Sequence, residues 1–359
     1  MPEPRSAIRT TPLIPHGAIT PGELARMGLN PEQVIDFSAN INPYGPHPAV
    51  REALAHVPID RYPDPEVLAL RRALSHQLHQ PISHILAGNG ASELIGLVAL
   101  AFLEAGDRVL VAEPTYGEYA RAARMMGAEV VVWRALPEDD FAIRPQEIAS
   151  WLGRTSPRVA FFCRPNNPTG QCLPLDALAR WTLRHPSTLF VVDEAYLPFA
   201  RGAASALELA APNLLVLRSL TKSHALAGLR LGYAVGPEPI IDALRSVQPP
   251  WSVNALAQAA GVAALQQQEE IEETLVRLQE DVRALRHDLH RQGWRPHPSA
   301  THYFLLPVGD AAQVRQRLLG RGIVVRDASS FGLPHHIRIA ARTPAENARL
   351  LEALGPAPS

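Results

Sequence analysis

The sequence predicts an α/β fold, in which a mostly parallel central sheet lies between helices, together with a smaller α+β domain. The first observation is an alternation of short apolar runs with helix-like segments from about residue 85 to residue 237. Apolar strands that alternate with helices are typical of a parallel sheet covered on both faces. The second observation is a long amphipathic stretch after this region, which is followed by a further set of strands and helices.

Six strands are predicted in the alternating region. They are RVLVAE (108–113), EVVVW (129–133), RVAFFC (158–163), TLFVVDE (188–194), NLLVLRS (213–219) and LGYAVG (231–236). Helix-like segments stand between most of them, such as SELIGLVALAFLEAG (92–106) and YGEYARAARMMG (116–127). Ligands of such sheets bind beyond the carboxyl ends of the strands, so we expect the site in the loops that follow them.

The segment 255–291 predicts a long helix with one apolar stripe. The stripe comes from residues at spacings of three and four, namely Ile271, Leu275, Leu278, Val282, Leu285 and Leu289. A helix that links or backs a second domain is favoured over a coiled coil, because the stripe is short and ends at Gly293. Beyond it we expect the strands THYFLLPV (301–308), IVVRDA (323–328) and HIRIAAR (336–342), the helix DAAQVRQRLLGRG (310–322), and a last helix capped by Thr343.

This pattern divides the chain into three parts. Residues 1–48 show little periodicity and are expected to lie over both domains, as an N-terminal segment that contributes to the small domain and to the site. Residues 49–254 are predicted to form the large domain, and residues 255–359 the small domain with the long linking helix. A chain of 359 residues is long enough for two domains with substantial cores.

Composition argues against several classes of partner. The 34 basic and 35 acidic side chains nearly balance and form no block, so neither nucleic acid nor an anionic membrane is expected. The longest apolar stretch is about half a membrane span, and the N-terminus lacks an apolar leader, so we expect a cytoplasmic protein. Cys163 and Cys172 are too few for a disulfide framework. Histidine pairs on predicted helices lack completing carboxylates, so no metal is expected.

Chemistry-bearing residues follow the predicted strands. Asp193 ends an apolar run, where an unpaired carboxylate would be costly, and Tyr196 comes three residues later. The stretch SLTKSHALAGLRLGY (219–233) then places Lys222 among small and apolar residues, with Arg230 eight positions on. A glycine-rich loop, LAGNGASEL (86–94), runs into a helix and offers backbone N–H groups to an anion.

These residue types suit one cofactor, pyridoxal phosphate. It needs a lysine for its aldehyde, a carboxylate against its ring nitrogen, donors for its ring oxygen, an aromatic face and a phosphate cup. The lysine must also act as a neutral amine, which burial and a neighbouring cation make accessible near neutral pH. A nicotinamide cofactor is disfavoured, because no G-x-G-x-x-G follows an early strand.

With these motifs the chain resembles the fold-type-I pyridoxal-phosphate enzymes of the class I and II aminotransferase group. The resemblance covers nearly the whole chain, with the motifs in the family's order. It implies three catalytic residues, which are Lys222 on the aldehyde, Asp193 on the ring nitrogen and Tyr116 stacked on the ring. It implies the other cofactor contacts as well: Asn167 and Tyr196 at the ring oxygen, and Ala91, Ser92, Ser219 and Arg230 at the phosphate. It further implies a homodimer with shared sites, in which Tyr62 of RYPDP reaches the phosphate of the neighbouring subunit.

Two subgroups of this family compete. Histidinol-phosphate aminotransferases carry NPYG, YPDP, PTY, PNNPTG, DEAY and AGLRLGY motifs, and all of these occur here. Three stretches depart from that pattern and look like the L-threonine-O-3-phosphate decarboxylases of cobalamin biosynthesis: DFSANINPYG (36–45), SLTKSH (219–224) and PPWSVNALA (249–257) with Trp251. PHGAI (15–19) and SHALAG (223–228) fit the decarboxylases only in part. The expected reaction is decarboxylation of threonine phosphate to (R)-1-amino-2-propanol O-2-phosphate, and the alternative is a histidinol-phosphate or related aminotransferase.

The substrate side depends on anion-binding residues. Arg326 and Arg338 lie at the ends of predicted strands, and the resemblance implies that they hold the substrate's anionic groups. It also makes His16, Asn40 and Asn167 substrate contacts. Decarboxylase and aminotransferase differ in which bond at the substrate Cα stands perpendicular to the cofactor ring, and the sequence leaves both open. A third reading, a ligand-sensing domain without activity, is disfavoured because Lys222 and Asp193 are both present.

Overall fold

The computed structural model describes residues 2–15, 17 and 21–358. The strands are β1 Ile35–Asp36, β2 Ile85–Gly88, β3 Arg108–Glu113, β4 Glu129–Arg134, β5 Val159–Cys163, β6 Leu189–Asp193, β7 Leu214–Ser219, β8 Gly232–Val235, β9 Tyr303–Pro307, β10 Ile323–Val324, β11 Arg326–Asp327 and β12 His336–Ala340. The helices are α1 Ser6–Thr10, α2 Pro21–Arg26, α3 Pro48–Ala55, α4 Leu68–Leu78, α5 Gly90–Phe102, α6 Glu118–Met125, α7 Pro145–Thr155, α8 Leu175–Arg184, α9 Leu220–Ser223, α10 Glu238–Val247, α11 Ala255–Leu265, α12 Gln268–Arg291, α13 Ala311–Leu319 and α14 Pro344–Leu354.

Seven strands form the central sheet, in the order β2-β8-β7-β6-β5-β3-β4. Strand β8 runs antiparallel to both of its neighbours, and the remaining neighbours pair in parallel. Every residue of β5 and β6 is buried, because helices cover both faces of the sheet. The fold class predicted from the alternating pattern is therefore confirmed. The carboxyl ends of β5, β6 and β7 meet at one edge, where the loops bearing the predicted site residues emerge.

A second, three-stranded antiparallel sheet has the order β11-β12-β9. Two details of the predicted C-terminal part need correction. The run 323–328 is two short strands rather than one, since β10 pairs with β1 while β11 joins the three-stranded sheet. The stretch 255–291 is two helices rather than one, because α11 ends at Leu265 before α12 begins at Gln268. The predicted apolar stripe is buried along α12, with its C-terminal half in the core around β9 and β12.

The N-terminal segment contacts elements of both larger sheets. Its β1 forms a separate two-stranded parallel sheet with β10, the carbonyl oxygen of Phe37 accepts from the backbone N–H of Ala340 in β12 at 2.9 Å, and α1 packs on α6. The backbone N–H of Asn42 donates to the carbonyl oxygen of Lys222 at 3.0 Å, and the Asn42 amide donates to the hydroxyl of Thr274 at 2.8 Å. The three-part division of the chain stays a prediction. Among the helices of the described residues, none has the length and apolar character needed to cross a membrane.

Candidate active site

The predicted cofactor residues of a single chain meet at one cavity of about 90 Å³ beyond the carboxyl ends of the central strands. Its lining includes Ala91, Ser92, Tyr116, Asn167, Asp193, Tyr196, Ser219, Lys222 and Arg230. A larger cavity of about 750 Å³ shares several of these residues and adds Asn40, Arg326 and Arg338. Residues that are more than a hundred positions apart in the chain are brought together because parallel strands end at the same sheet edge.

Asp193 is the last residue of β6 and is only 5% exposed. Its carboxylate accepts hydrogen bonds from the Tyr119 hydroxyl at 2.7 Å and from the backbone N–H of Ala195 at 2.9 Å. Burial raises the pKa of this carboxyl group, and the two donors oppose that rise. The arrangement suits a carboxylate that receives a further cationic N–H donor from a ligand. Tyr119 was missed from the sequence, although it stands three positions after Tyr116 at the start of α6.

Lys222 lies on the short helix α9, directly after β7. Burial and, after it, the nearby guanidinium groups of Arg338 and Arg230 lower the pKa of its amine to about 8, while Asp193 acts in the opposite direction. A useful fraction of the amine is therefore neutral near pH 7 and able to attack an aldehyde. The backbone beside it is held by Asn42, whose amide also donates to the carbonyl of Ser223 at 3.0 Å.

An anion cradle stands where α5 begins. Gly90 adopts φ +78°, and a Cβ atom at this position would lie 2.8 Å from Nη2 of Arg230. The glycine thus lets the guanidinium approach the helix N-terminus, whose free N–H groups favour negative charge. Ser92 Oγ lies 3.0 Å from the Tyr116 hydroxyl at the same end of the helix. These donors fit the phosphate group of pyridoxal phosphate, and Asp193 and Lys222 fit its ring nitrogen and aldehyde.

Arg338 forms the substrate side of the cavity. It lies on β12, is buried, and donates from Nη1 to the side-chain oxygen of Asn167 and from Nη2 to the carbonyl of Ser38. Its guanidinium carbon also lies 5.6 Å from the ring centre of Tyr303. Burial lowers its pKa, and no carboxylate of the described residues forms an ion pair with it. A buried cation without a counter-charge is costly, so the site favours an anionic ligand here.

Arg326 and Asn40 line the same larger cavity. The Nη2 group of Arg326 donates to the Pro15 carbonyl and to Ser330 Oγ, each at 2.6 Å, and burial followed by the charge of Arg338 lowers its pKa to about 10. The amide nitrogen and oxygen of Asn40 are buried and form no well-aligned hydrogen bond with the described residues, although the amide lies close enough to the Tyr196 hydroxyl to oppose the rise of its pKa. His16, predicted to contact the substrate, lies outside the described residues.

Tyr62 does not reach the cavity of its own chain. Its side chain is 78% exposed and stacks on Trp251, with ring centres 4.6 Å apart and an interplanar angle of 25°. Its predicted contact with the phosphate of a neighbouring subunit stays a prediction. Thr221, a hydroxyl residue of the stretch that carries Lys222, also lines the cofactor cavity. Sequence reasoning did not single out Cys163, whose thiol sits beside Asp193 at the paired end of β5.

Comparison with known proteins places this site in a family. The model of the family "Aminotransferase class I and II" matches residues 32–354. A histidinol-phosphate aminotransferase of Symbiobacterium thermophilum is 37% identical over 98% of this chain and 97% of its own length. The crystal structure of a Sinorhizobium meliloti histidinol-phosphate aminotransferase in complex with pyridoxal-5'-phosphate has a TM-score of 0.88 and 26% identity, and covers 98% of this chain and 96% of that one. An L-threonine-O-3-phosphate decarboxylase of Porphyromonas gingivalis has a TM-score of 0.78 and 29% identity, over 89% of this chain and 97% of that one.

Proposed function

Because the chain belongs to the aminotransferase class I and II family, we propose that it transfers an amino group between histidinol phosphate and 2-oxoglutarate. The cofactor is pyridoxal 5'-phosphate. When bound, this cofactor accepts the electron pair of a bond broken at the substrate Cα. The larger cavity suits phosphorylated and carboxylated substrates, because five of the described residues that line it are basic and one is acidic. The sequence-based expectation of a decarboxylase is the less supported reading, since the curated relatives are named histidinol-phosphate aminotransferases.

Each step that we assign to the chain is supported by a contact within the site. Asp193 keeps the proton on the cofactor's ring nitrogen, since its buried carboxylate is oriented by Tyr119 and Ala195. Lys222 would take the proton from the substrate Cα with Nζ, because burial and the neighbouring guanidinium groups lower its pKa to about 8 and leave part of the amine neutral near pH 7. Arg230 and the N-terminus of α5 would hold the phosphate group of the cofactor.

The observation that carries the proposal is the unpaired guanidinium of Arg338. It is buried between Asn167 and Ser38, and it is one of the cations that lower the pKa of Lys222. A substrate carboxylate here would supply the missing counter-charge and form a bidentate pair. An amino acceptor such as 2-oxoglutarate has an α-carboxylate, while histidinol phosphate has none. Arg326, at the outer part of the cavity, is the matching candidate for the phosphate of histidinol phosphate.

A second candidate is supported by one feature of the site. Asn40 belongs to the stretch DFSANINPYG, which resembles the threonine-phosphate decarboxylases, and its buried amide beside Tyr196 can offer a donor and an acceptor to a ligand. A solved decarboxylase of that name is also similar in structure to this chain. Threonine phosphate carries both an α-carboxylate and a phosphate, so both arginines would be occupied by one molecule.

We also infer a homodimer with shared sites. Tyr62 and Trp251 form an exposed aromatic pair, and Ile59, three positions before Tyr62 in the sequence, is 84% exposed. Apolar surface of this kind favours burial against another molecule. A second copy of the chain would bring Tyr62 to a cofactor phosphate that the chain's own Tyr62 does not reach. Sedimentation of the purified protein tests this arrangement, and a monomer with full activity would contradict it.

One experiment separates the two candidate reactions. The purified protein with pyridoxal phosphate is incubated either with histidinol phosphate and 2-oxoglutarate or with threonine phosphate alone. Formation of glutamate in the first incubation supports the aminotransferase, and release of carbon dioxide in the second, without any keto acid, supports the decarboxylase. Lys222→Ala should abolish both reactions. Absence of both products from the wild-type protein would contradict the proposed function.

A further inference from the structure

We propose that His297 and His336 are positioning residues, which tie the strand of Arg338 to the loop after β4 and thereby set the Arg338 guanidinium relative to Asn167. The proposal rests on the proposed function in one respect, namely that Arg338 holds a substrate carboxylate. It concerns residues that line neither the cofactor cavity nor the larger cavity beside it, and neither was singled out from the sequence.

The two imidazoles form a continuous chain with Asp140. Nδ1 of His297 lies 2.7 Å from Oδ1 of Asp140, and Nε2 of His297 lies 3.2 Å from Nε2 of His336. Both histidines are buried, whereas the Asp140 side chain is 62% exposed. This series of hydrogen-bonded side chains therefore runs from a partly solvated carboxylate, on the loop between β4 and α7, to the three-stranded sheet.

The donors and acceptors of this chain agree with one pair of tautomers. An ionised Asp140 accepts from Nδ1–H of His297, so that Nε2 of the neutral His297 has a lone pair. That lone pair accepts from Nε2–H of His336, and Nδ1 of His336 is left as a buried acceptor with no partner among the described residues. Burial, with the neighbouring His297 and His335, lowers the pKa of His336 to about 4, so this ring is neutral at pH 7.

Backbone contacts connect the chain directly to Arg338. His336 and Arg338 are two positions apart on β12, so their side chains lie on the same face of the strand. Arg338 pairs in register with Leu305 of β9, and the Leu305 carbonyl accepts from the backbone N–H of His297 at 2.9 Å. The two histidines thus hold the two strands that position the arginine.

The other end of the chain is connected to Asn167. The carbonyl of Asp140 accepts from the Gln171 amide at 2.9 Å, and the Gln171 carbonyl in turn accepts from the backbone N–H of Asn166 at 2.8 Å. Asn167, the next residue, accepts from Arg338. The histidine pair therefore connects Arg338 with Asn167, the two residues of the candidate carboxylate site, by a second route besides their direct hydrogen bond.

The loop that carries Asp140 is held in an unusual conformation. Asp140 and Phe141 are consecutive non-glycine residues at φ +52° and +58°, a region that costs free energy for residues with a side chain. The buried Phe141 ring packs edge-on against His297 at 4.9 Å and against His336 at 5.9 Å. The contacts of Phe141 with the two histidines stabilise the loop and so offset the free-energy cost of this backbone conformation.

The test is His336→Phe, which keeps an aromatic ring against Phe141 and removes the hydrogen bond to His297. With histidinol phosphate and 2-oxoglutarate as substrates, we expect KM for 2-oxoglutarate to rise about fivefold, which corresponds to about 1 kcal/mol. KM for histidinol phosphate and the absorbance of the bound cofactor should stay at the wild-type values, because Arg338 is assigned to the carboxylate alone. His336→Gln keeps an N–H donor and should restore KM for 2-oxoglutarate.

His335→Phe is the matched control. His335 is the preceding residue, exposed, and bonded to the Gly309 carbonyl, so the same substitution there should leave both KM values unchanged. Asp140→Ala removes the solvated end of the hydrogen-bonded series and should raise KM for 2-oxoglutarate as His336→Phe does. In the double variant, the change in binding free energy should be smaller than the sum of the two single changes. An equal rise of both KM values, or a wild-type KM for 2-oxoglutarate in His336→Phe and Asp140→Ala, would overturn the proposal.

The outcome stays separable from the proposed function. If the wild-type protein turns over no histidinol phosphate, the proposed function fails. The affinity for 2-oxoglutarate is then measured on protein loaded with pyridoxamine phosphate, whose amino group reacts with the keto acid and changes the absorbance of the cofactor. A fivefold weaker affinity in His336→Phe supports the positioning role in that case, and an unchanged affinity contradicts it.

Discussion

The titration of Lys222 gives the sharpest test of the candidate site. Its amine must be neutral to capture the cofactor's aldehyde, and burial with two guanidinium groups lowers its pKa to about 8. The rate of cofactor capture by the cofactor-free protein should therefore follow the neutral fraction of this one amine. That fraction is about 1% at pH 6, about 9% at pH 7 and about 50% at pH 8. We expect a rise of about fiftyfold between pH 6 and pH 8, and a plateau above pH 9.

The size of this effect separates it from the behaviour of an ordinary lysine. At the usual pKa of 10.5, the neutral fraction at pH 7 is about 0.03%, so that capture would be about 300-fold slower and would keep rising tenfold per pH unit up to pH 10. The assay is stopped-flow absorbance after mixing cofactor-free protein with pyridoxal phosphate at fixed ionic strength. A profile with no plateau below pH 10 would refute the assignment of a lowered pKa to Lys222.

A substitution identifies the source of the shift. Arg338→Met removes the cation that contributes most after burial, so the pKa of Lys222 should rise, and every full unit of rise reduces capture at pH 7 tenfold. Arg326→Met is the matched control, since it removes a guanidinium from the same larger cavity that does not act on Lys222. If the two variants show the same dependence of the capture rate on pH, Arg338 does not contribute to the lowered pKa of Lys222, and burial and Arg230 account for it.

Two further predictions concern the cofactor contacts. Gly90→Ala places a Cβ 2.8 Å from Nη2 of Arg230 at a residue with φ +78°. In a fluorescence titration it should weaken the binding of pyridoxal phosphate more than about tenfold and change the binding of phosphate-free pyridoxal little. Gly96→Ala, which has no atom near its Cβ, is the control and should change neither affinity. Tyr119→Phe removes the hydroxyl that donates to Asp193 and should weaken cofactor binding about tenfold, roughly the value of one hydrogen bond to a charged group, and an unchanged affinity would argue against this support.

The residues that meet at the cofactor cavity were predictable because each follows a strand whose apolar run is visible in the sequence. Asp193, Ser219 and Asn167 stand at or just beyond the ends of such runs, and the parallel sheet aligns those ends. Tyr119 was not predictable in the same way. Its contact with Asp193 depends on the direction in which α6 leaves the sheet, and apolar periodicity carries no information about that angle.

Contacts between residues far apart in the sequence, and the exact ends of some elements, could not be predicted from the sequence either. His297 and His336 are 39 positions apart, and nothing in either motif indicates that their rings face each other. The break between α11 and α12 fell in a polar stretch whose helical propensity is good throughout, so periodicity continued through a real helix end at Leu265. The split of 323–328 between two sheets follows from the arrival of β1, which comes from a segment without periodicity of its own.

The contacts of Arg338 determine which of the two candidate reactions this site favours. A carboxylate held by a buried guanidinium is stabilised as a charged group, and losing it as neutral carbon dioxide sacrifices that ion pair in the transition state. If the α-carboxylate binds at Arg338, breaking the Cα–H bond is therefore favoured, and Lys222 moves that proton. If a phosphate binds there instead, the carboxylate is free to turn away from the arginine, and decarboxylation becomes accessible with the same cofactor contacts. The reaction thus depends on which anion Arg338 and Asn167 hold together, and on the outer contacts from Arg326 and Asn40 that direct the second anionic group.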